Sequence, residues 1–200
     1  GAFGKVANPL NAAARAVAKI AEFQVPTDPK TSFCVSNFHA GNDAGIHAIV
    51  PEATIKFNLR SDSQEVLEEL YQRILNALQE ACDEETARWG KDTITVTHKR
   101  YCNVPAGTQD VHSPIVEATY AISSYLGYEP IFFHGGSTNC NMAIGKNIPA
   151  VCLGMGSLDC GAHTLQEFFE TTDAHKGVQQ ALLLALLLAG VDGATDSILA

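Results

Sequence analysis

A change of hydrophobic rhythm near residue 105 constrains this chain more than any other feature. Before it, helix-period and strand-period stretches follow in the order helix, strand, strand, helix, strand. After it, short all-apolar runs alternate with helical segments, the pattern of strands covered on both faces. A length of 200 residues accommodates one large domain or two small ones, and the rhythm favours two, at residues 1–105 and 106–200.

Within the first stretch, residues 8–23 carry Leu10, Ala14, Val17, Ile20 and Ala21 at helical spacing. Asn8 followed by Pro9 supplies an N-cap and a proline at the first helical position. Residues 31–38 read as a strand, residues 41–45 as a glycine-bearing hairpin loop and residues 46–60 as a second strand. Asp62 or Ser63 caps the clearest helix, with Val66, Leu67, Leu70, Ile74, Leu75, Leu78 and Cys82 on one stripe. Residues 93–98 form a further strand. The sum is a two-layer α+β unit, the β-α-β-β-α-β plan without its opening strand.

In the second stretch, helices are expected over residues 113–125 and 171–189, with buried strands at residues 130–133 and 148–153. The last helix contains a Leu-rich run, residues 181–190, that is apolar on every side. It is far short of the ~18–20 residues needed to span a bilayer, so it reads as a helix buried in a larger body. The resulting α/β layer is incomplete, because two strands make a poor sheet alone.

A net charge of −9 with no basic run argues against nucleic acid or an anionic membrane as partner. The six cysteines, at positions 34, 82, 102, 140, 152 and 160, form no C-x-x-C pair. Buried free thiols in a reducing cytoplasm are the expectation. With no signal peptide at the present start, cytoplasmic localisation follows. The chain begins Gly1-Ala2-Phe3-Gly4 rather than with Met, which reads as a processed, engineered or partial chain.

Two loops could carry chemistry, residues 133–141 and residues 154–167, since sites in α/β layers sit beyond strand ends. The second holds His163, which could bind a metal, transfer a proton or simply be exposed.

The run Gly136-Ser137-Thr138-Asn139-Cys140-Asn141, the segment from Gly145 through Ile148-Pro149-Ala150-Val151 to Gly154, and Ala162-His163-Thr164 with Glu167 stand in one order. Upstream lie Ala48-Ile49-Val50-Pro51-Glu52-Ala53 and Phe57-Asn58-Leu59-Arg60-Ser61. Together these resemble the lid and C-terminal motifs of the dinuclear zinc exopeptidase and amidohydrolase family. That family includes carboxypeptidase G, aminoacylase, carnosinase-type dipeptidases and peptidase T. The resemblance implies a ferredoxin-like lid and dimerisation domain followed by the last portion of a catalytic domain.

It also implies roles, position by position. His163 matches a zinc ligand, a task that neutral imidazole suits. Glu167 would orient that loop or the histidine. His47 stands where the lid usually has an Asn that reaches across a dimer to the substrate or its oxyanion. Arg100 lies where many members grip a substrate carboxylate with a guanidinium fork, although a solvated strand-end charge accounts for it equally well. Asn139 replaces the usual Asp of the turn, keeping its shape beside the substrate but not its charge.

The family's other half carries an H-x-D motif, a bridging Asp and a Glu-Glu pair, and none of these is expected among the 200 residues. Two zinc ions there lower the pKa of a water and clamp the tetrahedral intermediate. This chain would supply at most one zinc ligand and be inactive alone. The implied function is part of a zinc-dependent peptidase or amidase acting on small peptides or N-acyl amino acids. It would work as a homodimer, with the absent catalytic half as a further partner. The competing reading is a non-catalytic module that dimerises or binds small acids.

Overall fold

In the computed structural model, the described residues are 4–42, 44–90, 94–133 and 135–199. Expectations that touch the opening tripeptide, Asp43, Thr93 and His134 lie outside them. The chain divides into two compact units, residues 1–106 and 107–200. Its elements are α+β throughout, helices with small antiparallel sheets.

In the first unit, α1 (Pro9–Ala21) begins where Asn8 accepts a hydrogen bond from the Leu10 amide, 3.0 Å away. Strands β1 (Thr31–Ala40) and β2 (Ala53–Ser61) pair antiparallel, from Thr31 opposite Ser61 to Ala40 opposite Ala53. A bulge interrupts the register between Val35 and Asn37. Helix α2 (Gln64–Trp89) is capped by the Ser63 hydroxyl, which accepts from the Val66 amide, and ends at left-handed Gly90.

The core lies where the two helices meet. Ala16 and Ile20 of α1 pack with Leu70, Ile74, Ala77 and Ala81 of α2. Phe33, Val35, Phe57 and Leu59 of the hairpin close over them. A lone two-stranded sheet is marginal in water, so this burial against the helices is what makes the hairpin stable.

Three expectations for this unit change. The second strand starts only at Ala53, because residues 46–52 are bends and irregular backbone rather than the start of β2. Residues 94–98 form no strand ladder among the described residues. Side chains of α2 hold that segment instead. The Ile94 amide donates to Thr86 Oγ1, and Tyr71 pairs with His98. The apolar stripe of α2 also continues past Cys82 to a buried Glu85.

The second unit contains α3 (Pro114–Tyr125), α4 (Cys140–Ile144), β3 (Asp159–Cys160), β4 (Phe168–Phe169) and α5 (Ala174–Ala189). Helices α3 and α5 pack together, with Val116, Ile122 and Leu184 buried and Gln180 donating to Ser123 Oγ between them. Gly156 and Gly177 come so close that a Cβ on Gly156 would lie 2.1 Å from the Gly177 amide nitrogen. Gly156 also has φ +86°, so two independent constraints demand glycine there.

The two buried strands expected in this unit are not formed. Ile131 and Phe133 are 84% and 79% exposed, and Ile148 is 55% exposed. Residues 148–153 bond instead to a side chain, with the Ala150 amide donating to Gln109 Oε1 and Gln109 Nε2 donating to the Ala150 carbonyl. Helix α5 is not buried all round either, since Val178, Leu182 and Leu186 face outward. The expectation of buried cysteines holds only for Cys82. Cys34, Cys102, Cys152 and Cys160 are exposed, and Cys140 is half-buried. Among the described residues no helix is long and apolar enough to cross a membrane.

Candidate functional site

His163 stands on a short hairpin. Strands β3 and β4 pair Asp159 with Phe169 and Cys160 with Phe168, leaving residues 161–167 as the connection. Gly161 opens it at φ +72°, and His163 follows at φ +68°. A Cβ on Gly161 would meet the Gln166 carbonyl oxygen at 2.9 Å, so the loop closes only around a glycine. The Thr164 hydroxyl donates to the Gly161 carbonyl at 2.7 Å, and the Glu167 carboxylate accepts the His163 amide at 3.3 Å.

The left-handed backbone at His163 costs roughly 1–2 kcal/mol relative to an ordinary conformation. Its imidazole is exposed and has no hydrogen-bond partner among the described residues. The hairpin therefore holds a strained backbone and presents an uncommitted ring. Glu167 acts on the loop backbone and not on the imidazole.

Arg100 is committed. Its Nη2 donates to both oxygens of Glu68, at 2.6 and 2.7 Å. Its guanidinium carbon lies 3.9 Å from the centroid of the Tyr71 ring. Tyr71 in turn places its hydroxyl 2.7 Å from His98 Nδ1. The Glu68 partnership raises the already high pKa of Arg100, and the same contact holds the Glu68 carboxyl below the ordinary glutamate range. Arg100 is thus a partly exposed charge paired with Glu68, in a segment that forms no strand.

His47 is exposed within the connection between β1 and β2. Asn139, also exposed, precedes α4 with helical backbone angles and makes no side-chain cap. The adjacent turn is fixed by its neighbours, with the Thr138 amide donating to Asn141 Oδ1 and the Cys140 amide to Thr138 Oγ1. His47 and Arg100 belong to the first unit, and Asn139, His163 and Glu167 to the second.

Glu-Glu pairs do occur, contrary to the expectation that none is present, at Glu68-Glu69 and Glu84-Glu85. Both lie on α2, where Glu68 holds Arg100, Glu84 holds Lys19 and Glu85 holds Arg15. No group of three or more His, Cys, Asp or Glu is gathered to hold a metal among the described residues. One imidazole cannot retain zinc, so these residues do not compose a metal centre by themselves.

Sequence reasoning missed Glu85. Its side chain is completely buried and accepts hydrogen bonds from the Asn8 amide, Asn11 Nδ2, Arg15 Nη1 and Trp89 Nε1. Helical spacing could have found it, because Ile74, Ala77, Ala81 and Glu85 recur every three or four residues.

Comparison with known proteins agrees with the first unit's architecture. Residues 1–86 match the M20 family model described as a peptidase dimerisation domain. The first unit is thus similar to a peptidase dimerisation domain over most of its length. The fold is similar to that of an aminopeptidase, PepT from Bacillus cereus ATCC 10987, with a TM-score of 0.58 at 19% identity. The match covers 92% of this chain and 45% of that one, so this chain spans less than half of that protein's length.

Proposed function

We propose that this chain is the lid and C-terminal portion of a zinc-dependent M20 peptidase or amidohydrolase. Its substrates would be small peptides or N-acyl amino acids with a free carboxylate. The single observation that carries this reading is the strained His163 backbone on its glycine-closed hairpin, with the imidazole unengaged. Backbone strain of this kind persists only where the surrounding structure enforces it, and it clusters at functional sites. The fold likeness also extends past the dimerisation domain and includes the unit that holds this hairpin.

In this reading His163 contributes one ligand to a two-zinc centre whose other ligands lie outside these residues. Glu167 keeps the hairpin in shape. Arg100 receives the substrate carboxylate, while His47 and Asn139 donate hydrogen bonds to the substrate. Pairing through the lid would give a homodimer. The outward-facing Ile131, Phe133, Leu182 and Leu186 support the view that a catalytic half covers the second unit.

The test is hydrolysis of dipeptides and N-acyl amino acids by the parent polypeptide, with and without a zinc chelator. Chelation should abolish turnover. His163→Asn, which tolerates the left-handed backbone but lacks the imidazole, should cut it by at least roughly a hundredfold. A parent polypeptide that stays inert with zinc supplied would overturn the reading. So would turnover by the 200 residues alone.

A further inference from the structure

Resting on the reading that Arg100 receives a substrate carboxylate, we propose that Glu68 is a built-in competitor for it. Its carboxylate occupies the guanidinium, and a ligand's carboxylate binds by displacing it. The geometry points to exchange rather than a permanent clasp, because Arg100 is oriented by two separate contacts. One is the Tyr71 ring beneath the guanidinium, itself tied through its hydroxyl to His98. The other is Glu68. Losing the second leaves the first in place, so the guanidinium stays aimed when Glu68 departs.

The mode of pairing also favours a ligand over Glu68. Both Glu68 oxygens are taken by the single nitrogen Nη2. Glu68 is the only carboxylate paired with Arg100 among the described residues. A free carboxylate can engage guanidinium through two parallel N–H···O bonds from two nitrogens, the stronger bidentate arrangement. The side chains of Arg100 and Glu68 are 35% and 44% exposed, so exchange requires no opening of the core. Lys99 adds a positive charge from the same segment, while Glu65 and Glu69 on α2 place negative charge around Glu68. Substrates therefore meet Arg100 across a local repulsion that Glu68 strengthens.

The proposal is tested on the 200-residue chain by titrating N-acetylglycine and following the Arg side-chain N–H resonances by NMR. E68Q should tighten binding by roughly two- to fivefold, the range expected on removing an exposed ion pair. E69Q deletes an equal charge from a residue that makes no ion pair with Arg100, and should leave affinity nearly unchanged. Arg100→Lys should lose the Tyr71-backed fork and bind weakly, and N-acetylglycinamide should not bind any variant. Circular dichroism on each variant checks that the exposed substitutions leave the fold intact. Affinity that falls or stays level in E68Q, or rises equally in E69Q, overturns the competitor role. Those results leave zinc-dependent hydrolysis by the parent polypeptide untouched. An inert parent alongside tightened binding in E68Q would instead overturn the peptidase reading and leave the exchange standing.

Discussion

Glu85 is the residue on which the first unit depends most. Burial alone would raise the pKa of its carboxyl, yet hydrogen bonds from Arg15, Asn11, the Asn8 amide and Trp89 outweigh that and hold it below the ordinary range. It ties the start of α1 to the end of α2, joining residues 77 positions apart in sequence. Replacing it with Gln would leave the Arg15 guanidinium without its carboxylate and turn an acceptor into a donor facing other donors. E85Q should therefore cost about 3 kcal/mol, read from denaturant unfolding at pH 7. The pH dependence follows from the direction of the shift. A carboxyl with a depressed folded-state pKa stabilises fully above its unfolded pKa and loses that contribution as pH falls through the folded value. Acid titration of the wild type should thus lower stability below the ordinary glutamate range, and E85Q should flatten that part of the profile. An unchanged profile would remove Glu85 from this role.

Elements were legible in the sequence where local chemistry decides them. The Asn8 and Ser63 caps, the apolar stripe of α2 and the helix expected over residues 113–125 all rest on neighbours within a turn, and each is present. Residues 130–133 and 148–153 were not legible in this way. A strand needs a hydrogen-bonding neighbour distant in sequence, and apolar runs of this length carry no information about whether one is present. Residues 148–153 found Gln109 instead. His163 was legible only through its motif, since its left-handed backbone is set by closure of residues 161–167 and not by its identity. The Glu68 contact to Arg100 spans 32 positions, beyond any periodicity.

The packing of α5 on the Met155-Gly156 backbone gives the sharpest prediction at this scale. A Cβ on Gly177 would lie 2.5 Å from the Met155 carbonyl oxygen, with backbone on both sides and no flexible side chain to yield. Gly177→Ala should destabilise the second unit by roughly 1–3 kcal/mol through overpacking, seen as a lower thermal midpoint. Gly154→Ala, where nothing lies within 4 Å of the added carbon, is the matched control and should be nearly neutral. Equal effects from the two would mean that the close approach does not govern stability.

For the whole molecule, the open question is what completes the first unit's sheet. Strands β1 and β2 form a two-stranded sheet, so each has an outer edge with no ladder partner among the described residues. Unpaired edges recruit other strands unless they are blocked. The blocking here is partial. One bulge interrupts β1, and Lys56 is the sole lysine on β2, while most of the paired register stays regular. The hairpin's exposed side is polar through Cys34, Ser36, His39, Thr54, Lys56 and Asn58, so a burial-driven sandwich would gain little from that face. Edge pairing instead satisfies backbone groups without covering the polar face, and it suits the match to a peptidase dimerisation domain. A homodimer formed this way stabilises the fold by mass action, so its thermal midpoint must rise with protein concentration. Sedimentation equilibrium should give twice the 21.3 kDa chain mass at high concentration. The thermal midpoint should climb over the same range in which the mass doubles. A strict monomer with a concentration-independent midpoint would rule out self-pairing by this chain and leave its edges to a different strand.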